Sequence, residues 1–284
     1  MDSVALNNNL SMPTIGLGVY LVTDVRECER SVDLALRSGH RLIDTAAMYG
    51  NERAVGRGMR SSGIAREEIF LTTKIWPSQF GYERTTTAIA ESLERLGTGY
   101  IDLLLLHQPV GDYLGSWRAL EESVASGSVR SIGVSNFRVR ELEELLAVAT
   151  VPPTVNQVER HPYFQQKDLG TFLARHQIVP EAWFPIGHGS ARLLGEAVFT
   201  ELAGKYGKSP VQVVLRWHLQ SGWVAIPKST NPAHIEQNID IFDFELTSEE
   251  VARIEAMDRD RPMFRVPRWL LGLVTRLVPI RDLP

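Results

Sequence analysis

The sequence predicts a closed (β/α)8 barrel, and three observations carry that expectation. Short apolar runs alternate with longer segments of helical periodicity, which is the signature of βαβ units and a parallel sheet. Eight such runs can be marked along the chain, and 284 residues is a length that suits a barrel better than an open sheet.

The runs are TIGLGVY (14–20), RLIDT (41–45), IFLTTKI (69–75), YIDLLLLH (100–107), VRSIGVS (129–135), PTVNQVE (153–159), IVPEAWF (178–184) and WVAIP (223–227). Helices fill the intervals between them. Within 24–39, Val25, Cys28, Val32 and Leu36 recur at three- and four-residue spacing, so they share one helix face. Gly39, Gly63 and Gly97 fall where such helices should stop, as glycine does in a left-handed cap position. The opening MDSVALNNNL is expected as a short hairpin ahead of the first barrel strand. No Ser/Gly/Pro-rich linker divides the chain, so residues 1–284 read as a single domain, with 261–284 as a C-terminal tail.

Composition narrows the function. A hydrophobic content of 44% allows a sizeable core. Thirty basic against thirty-four acidic residues leave a net charge of −4, which gives no electrostatic footprint for nucleic acid and points to small-molecule partners. Cys28 is the only cysteine, which excludes an internal disulfide and favours a reducing cytoplasm. MDSVALNNNLSMP has neither the charged start nor the apolar stretch of a secretory signal, and no run approaches the ~18 apolar residues of a membrane span. A cytoplasmic monomer is the expectation, since only the tail suggests an apolar patch.

In a barrel the chemistry is placed at the carboxyl ends of the strands, so polar residues there can be read as a group. Asp44 and Tyr49 follow the second strand, Lys74 ends the third and His107 ends the fourth. These four should converge. A lysine closing an apolar run is costly to desolvate unless a carboxylate pairs with it, and Asp44 on the adjacent strand is the obvious partner. A tyrosine near that ammonium is expected to have its pKa lowered from the reference of about 10. Tyr49 could then act as a general acid toward a carbonyl oxygen, which His107 would orient by a hydrogen bond. These parts suit hydride addition to C=O, with a bound nicotinamide as the hydride source.

Each residue alone has a structural explanation. Asp44 could cap a helix, Tyr49 could be packing, Lys74 a solvated strand end, His107 a satisfied core histidine and Trp183 ordinary rim packing. Four independent accidents would be needed to set these types at three neighbouring strand ends, so the catalytic explanation prevails. Other chemistries fit poorly. GLG (16–18) and GRG (56–58) fail G-x-G-x-x-G, because Leu21 and Ser61 stand at the third glycine. The H-x-H pair of metal hydrolase barrels is absent from TIGLGVY, and the seven histidines are dispersed, so no metal site is expected.

The set Asp44, Tyr49, Lys74 and His107, within LIDTAAMYGNE, LTTKIW and LLLLHQP, resembles the tetrad of the aldo-keto reductases. The likeness runs from about residue 11 to about residue 260 and includes VSNF (134–137), VNQVERHPYF (155–164) and IPKS (226–229). The resemblance implies a barrel that binds an extended NADP(H) without a Rossmann domain and reduces aldehydes, ketones or keto sugars. It implies that Tyr49 donates the proton, that Asp44 and Lys74 tune it, and that His107 orients the substrate. Ser135, Asn136 and Gln157 would bind the nicotinamide carboxamide. Trp183 stands where the family places an aromatic ring against the nicotinamide, usually tyrosine; tryptophan there, with Gln108 after the histidine, is similar to the bacterial 2,5-diketogluconate reductase branch.

The stretch IPKSTNPAHIEQN (226–238) is similar to the family's adenosine-phosphate site. Lys228, Ser229 and Asn238 match, while His234 stands for the usual arginine and Gln237 for the usual glutamate. Arginine grips a 2′-phosphate through a permanent bidentate charge and neutral histidine does not, so NADPH is expected with NADH as a possible substitute. His188, in PIGHGS, lies on the loop that in this family folds over the pyrophosphate, although a plain turn explains it equally well. His161 reads as a structural loop histidine.

Tyr20, Trp76, Phe80 and Gln108 are candidates for the substrate pocket, and an aromatic wall favours apolar or ring-shaped carbonyls. In the tail, WLLGLVTRLV (269–278) sets Leu270, Leu273, Val274 and Leu277 at helical spacing. It is expected to pack over the barrel mouth; a basic amphipathic segment could instead touch an anionic membrane surface or a partner subunit. The rival to the enzyme is a nicotinamide-binding barrel with little or no turnover.

Overall fold

The computed structural model describes residues 2–264, 270–272, 275 and 280. The chain begins with the expected hairpin, β1 (Ser3–Ala5) antiparallel to β2 (Ser11–Pro13). Met12 and Leu6 of this hairpin are buried in one cluster with Leu42, Phe70, Leu103, Val155 and Val224, at or near the starts of barrel strands. The hairpin therefore stoppers the amino-terminal end of the barrel. Asn7 and Asn8 pin it there through bonds to the Pro153 and Arg130 carbonyls at 3.0 and 3.1 Å.

The barrel strands are β3 (Gly16–Gly18), β4 (Leu42–Asp44), β5 (Phe70–Ile75), β6 (Ile101–Leu106), β7 (Val129–Ser135), β8 (Val155–Glu159), β9 (Val179–Trp183) and β10 (Val224–Ala225). All pair in parallel with their neighbours in chain order. The seam between first and last closes through bridges Ile15–Ala225 and Gly18–Lys228. Its bonds run from Ala225 N to Thr14 O and from Gly18 N to Pro227 O, both at 3.0 Å. A Cβ at Gly18 would lie 3.2 Å from the Ile226 carbonyl oxygen, so glycine permits the close approach. The seam strands are shorter than the expected 14–20 and 223–227, and isolated bridges rather than a continuous ladder join them. The other strands match their expected limits to within two residues.

Eleven helices follow or join the strands among the described residues: α1 (Val25–Arg37), α2 (Glu52–Ser61), α3 (Tyr82–Leu96), α4 (Tyr113–Ala125), α5 (Val139–Leu146), α6 (Lys167–Arg175), α7 (Ala191–Leu194), α8 (Ala197–Tyr206), α9 (Pro210–Gln220), α10 (Pro232–Ile239) and α11 (Ser248–Glu255). In α1, Cys28, Val32 and Leu36 are fully buried, as the spacing predicts, and Asp24 caps the first turn by accepting from Glu27 N at 2.7 Å. Gly97 ends α3 in the left-handed conformation, with φ 63°. Strand alternation divides the core: Ile43, Leu71 and Leu104 face the helices, while Leu42, Phe70 and Leu105 face the barrel axis.

No helix among the described residues is long and apolar enough to cross a membrane. The start of the tail does return to the barrel mouth. Met263 N and Phe264 N donate to the Glu159 carboxylate at 2.5 and 3.3 Å, and the Phe264 ring lies 6.3 Å from that of Trp183. Of the predicted amphipathic positions, Leu270 is half-buried, and Leu273, Val274 and Leu277 lie outside the described residues.

Candidate active site

Inward alternation along two short strands creates the centre of the site. Leu42 and Asp44 of β4 point to the axis, as does Lys74 of β5, which is 0% exposed. Lys74 Nζ donates to Asp44 Oδ1 and Oδ2 at 2.6 and 2.8 Å and to the Thr45 carbonyl at 2.9 Å. After β4 the chain turns through one 3₁₀ turn, Ala47–Tyr49, closed by Gly50 in the left-handed region (φ 71°). That turn folds Tyr49 back over the mouth, where its hydroxyl accepts from Lys74 Nζ at 3.4 Å. His107, just past β6, meets Tyr49 edge-on with ring centroids 5.7 Å apart and Trp76 at 4.9 Å. The four predicted residues thus converge.

Burial sets the direction for Asp44, Tyr49 and His107, whereas at Lys74 its partners overcome it. It pushes the Asp44 carboxyl above the usual carboxylate range, while Asp44 and Tyr49 hold Lys74 above the usual lysine value. These two directions pull against each other. The contacts from one ammonium to both carboxylate oxygens have the geometry of a charge-assisted bond, so the pair is ionised. The expectation for Tyr49 is corrected: its pKa is pushed up to about 12, chiefly by burial, with Asp44 offsetting part of the pull from Lys74. The sequence argument counted the ammonium and neglected the desolvation of the phenolate. His107 is held well below the usual histidine range by burial and by Lys74, so its ring is neutral. Its Nδ1 is buried and has no hydrogen-bond partner among the described residues.

A cavity of about 550 Å³ opens above this centre. Its wall takes in Tyr20, Asp44, Tyr49, Trp76, His107 and Gln108, then Ser135, Asn136, Gln157 and Trp183, and runs out to His188, Lys228 and His234. The predicted pocket residues Tyr20, Trp76 and Gln108 therefore belong to it. Phe80 does not: it is 1% exposed and packs in the core between strands and helices, so its assignment to the pocket wall is corrected. Ser229 and Asn238 are buried off the cavity wall; the Ser229 hydroxyl accepts from Asn231 N at 3.1 Å in the turn that starts α10. His161 is a structural residue, fully buried, with Nε2 3.2 Å from Glu159 Oε1.

The carboxamide-binding candidates are already linked to one another. Trp183 Nε1 donates to Asn136 Oδ1 at 3.0 Å, and Asn136 Nδ2 donates to the His107 carbonyl at 3.0 Å. Asn136 holds this place with φ 64°, a region that asparagine tolerates better than most residues. Gln157 Nε2 donates to Asp44 Oδ2 and to Glu181 Oε2, both at 2.8 Å. Glu181 was not anticipated. The available signal was a carboxylate inside the apolar run IVPEAWF, the same kind of cue that singled out Asp44. Leu21, Met48 and Phe264 on the cavity wall were also missed, because loops rather than strand ends deliver them.

The described residues include no cluster of three or more potential metal-ligating side chains. A dinucleotide suits the cavity better. One end presents Trp183, Ser135 and the unbonded amide oxygen of Gln157; the other presents Lys228 and His234.

Comparison with known proteins gives this geometry a family. Residues 14–259 match the model described as the aldo/keto reductase family. The chain is 48% identical over 271 residues to the glyoxal reductase of Bacillus subtilis (strain 168), covering 95% of this chain and 98% of that protein. It is 46% identical over 262 residues to the 9,11-endoperoxide prostaglandin H2 reductase of Trypanosoma cruzi (strain CL Brener), covering 92% and 93%. Among solved structures, a Bombyx mori aldo-keto reductase in complex with NADP superposes with a TM-score of 0.90 at 34% identity, covering 94% of this chain and 96% of that one. With its (β/α)8 barrel, and with Asp44, Tyr49, Lys74 and His107 gathered at the carboxyl ends of β4, β5 and β6, the chain belongs to the aldo/keto reductase family of oxidoreductases.

Proposed function

We propose that this oxidoreductase uses NADPH to reduce small aldehydes, ketones or keto sugars to alcohols, with Tyr49 as the proton donor. The observation that carries the proposal is the position of Tyr49: its hydroxyl is 3.4 Å from an ammonium locked to Asp44, on the same cavity wall as His107. A nicotinamide bound against Trp183 would supply the hydride. The Bombyx mori relative in complex with NADP supports that choice of cofactor.

The chain's own groups would divide the work as follows. His107, held neutral, would donate a hydrogen bond from its ring N–H to the carbonyl oxygen and orient it. Tyr49 keeps its proton at neutral pH, because burial holds the phenol up at about 12. When negative charge develops on the carbonyl oxygen, the proton passes from Tyr49 to that oxygen, and the phenolate left behind is balanced by the Lys74 ammonium. Asp44 fixes the ammonium in place. The apolar surround of Tyr20, Met48 and Trp76 would limit the water that reaches the reacting atoms once the cofactor and substrate fill the cavity.

Lys228 supports a preference for NADPH, and histidine at position 234 makes that preference weaker than arginine's bidentate fork would. We further propose that residues 1–284 act as one unit, a cytoplasmic monomer; the buried single cysteine, Cys28, supports a reducing compartment. The test follows NADPH absorbance across diketogluconate, methylglyoxal, benzaldehydes and simple ketones. Turnover of at least one class is expected. A protein that binds NADPH and reduces none of them would instead be a nucleotide-binding barrel.

A further inference from the structure

Beneath the site lies a carboxylic acid with no part in the mechanism above. Glu181, on β9, is 0% exposed and faces the barrel axis between β8 and β10. Its neighbours in register are Gln157 on β8 and Val224 on β10. Oε2 accepts from Gln157 Nε2 at 2.8 Å, and Oε1 is buried without a hydrogen-bond partner. The same Gln157 nitrogen gives its other hydrogen to Asp44.

We propose that Glu181 is a positioning residue of this site: with Asp44 it claims both amide hydrogens of Gln157, so that Gln157 turns only an acceptor oxygen to the nicotinamide carboxamide. The proposal rests on the cofactor assignment made above. Its physical basis is the amide's asymmetry. With nitrogen and oxygen exchanged, the Gln157 oxygen would face the Asp44 carboxylate, a buried repulsion. Asp44 alone would hold one hydrogen and leave the other free to turn toward the cavity.

The same arrangement makes the charge under the nicotinamide depend on pH. The charged groups facing Glu181 are Asp44 from β4 and Lys74 from β5. Burial and the Asp44 charge push the Glu181 carboxyl up to about 8. At neutral pH the acid is uncharged, and the pair beneath it sums to zero. Above that value the site gains one negative charge, which favours the cationic oxidised ring over the neutral reduced one.

The experiment measures dissociation constants of NADPH and NADP⁺ by fluorescence titration, for the native protein, Glu181→Gln and Glu181→Leu, with thermal melts confirming that each variant folds. In the native protein the ratio Kd(NADPH)/Kd(NADP⁺) should rise about fivefold between about pH 7 and about pH 9. In Glu181→Gln it should stay flat. At about pH 7 Glu181→Gln, which keeps an acceptor, should bind NADPH as the native protein does, whereas Glu181→Leu should bind about fivefold more weakly. A flat native ratio, an equal rise in Glu181→Gln, or unchanged NADPH binding by Glu181→Leu would each overturn the proposal. These measurements need no turnover, so a protein that binds both nucleotides and reduces no carbonyl sinks the catalytic assignment alone. Failure to bind either nucleotide sinks both.

Discussion

The indole nitrogen of Trp183 donates to Asn136 Oδ1 at 3.0 Å, and through Asn136 the ring is tied to the backbone of His107. A tyrosine or phenylalanine has no N–H at that place. In Trp183→Phe the Asn136 oxygen loses its donor, a loss worth about 1 kcal/mol for a partly buried neutral bond. NADPH affinity should therefore fall about fivefold, and Asn136→Ala, which also releases His107, should lose more. Fluorescence titration with NADPH checks the order; equal affinities for the native protein and both variants would exclude a role for this link.

Tyr49→Phe removes only the hydroxyl. Carbonyl reduction should drop at least about 100-fold in kcat, the usual scale for losing a positioned general acid. NADPH binding should stay within about twofold, because the fixed ammonium and the cavity walls remain. Steady-state kinetics and a binding titration on the same preparation separate the two effects.

Lys74→Met leaves the Asp44 carboxylate buried with one amide hydrogen bond from Gln157. Uncompensated buried charge typically destabilises by about 3–5 kcal/mol. A fall in the urea midpoint is expected, together with loss of reduction. The double variant Lys74→Met with Asp44→Asn should recover part of the stability, since the orphaned charge is gone.

Three buried histidines give the fold an acid sensitivity. Burial lowers the pKa of His40, His107 and His218, so each takes up its proton in the unfolded chain before the folded one. Their contribution is present above about pH 6.5 and is lost as pH falls below it, by up to about 1.4 kcal/mol per pH unit for each. The raised carboxyls of Glu52 and Glu181 act in the opposite sense. The clean readout is thus a difference: the loss of urea midpoint between about pH 7 and about pH 5 should be smaller in His107→Gln than in the native protein.

His234→Arg tests the phosphate end of the cavity. His234 and Lys228 are exposed on its wall. A permanent bidentate charge should lower KM for NADPH about tenfold and leave KM for NADH unchanged. Equal gains for both cofactors would mean that the 2′-phosphate does not bind there.

The site was legible in the sequence wherever strand ends supplied it. Asp44, Lys74 and His107 close apolar runs, and a polar group in such a place needs a partner; the structure brings all three together. Trp183 and Gln157 were legible for the same reason. Phe80 was misplaced because aromatic character does not reveal which way a side chain turns after its strand; it turns into the helix layer. Glu181 was overlooked although its run carried the same kind of cue, since no lysine or arginine closes a neighbouring run to pair with it; its partner is the neutral amide of Gln157.

By itself, the sequence determined the alternation of strands and helices, the parallel barrel and the residue types at its mouth, because periodicity and the cost of burying a charge are local properties. Only the tertiary structure decided the state of Tyr49. Its proton depends on how much water is excluded and on whether Asp44 neutralises Lys74, quantities summed over several strands. The assignment of both Gln157 hydrogens to two carboxyl groups, one 113 positions away in the chain, was likewise settled only by closure of the barrel.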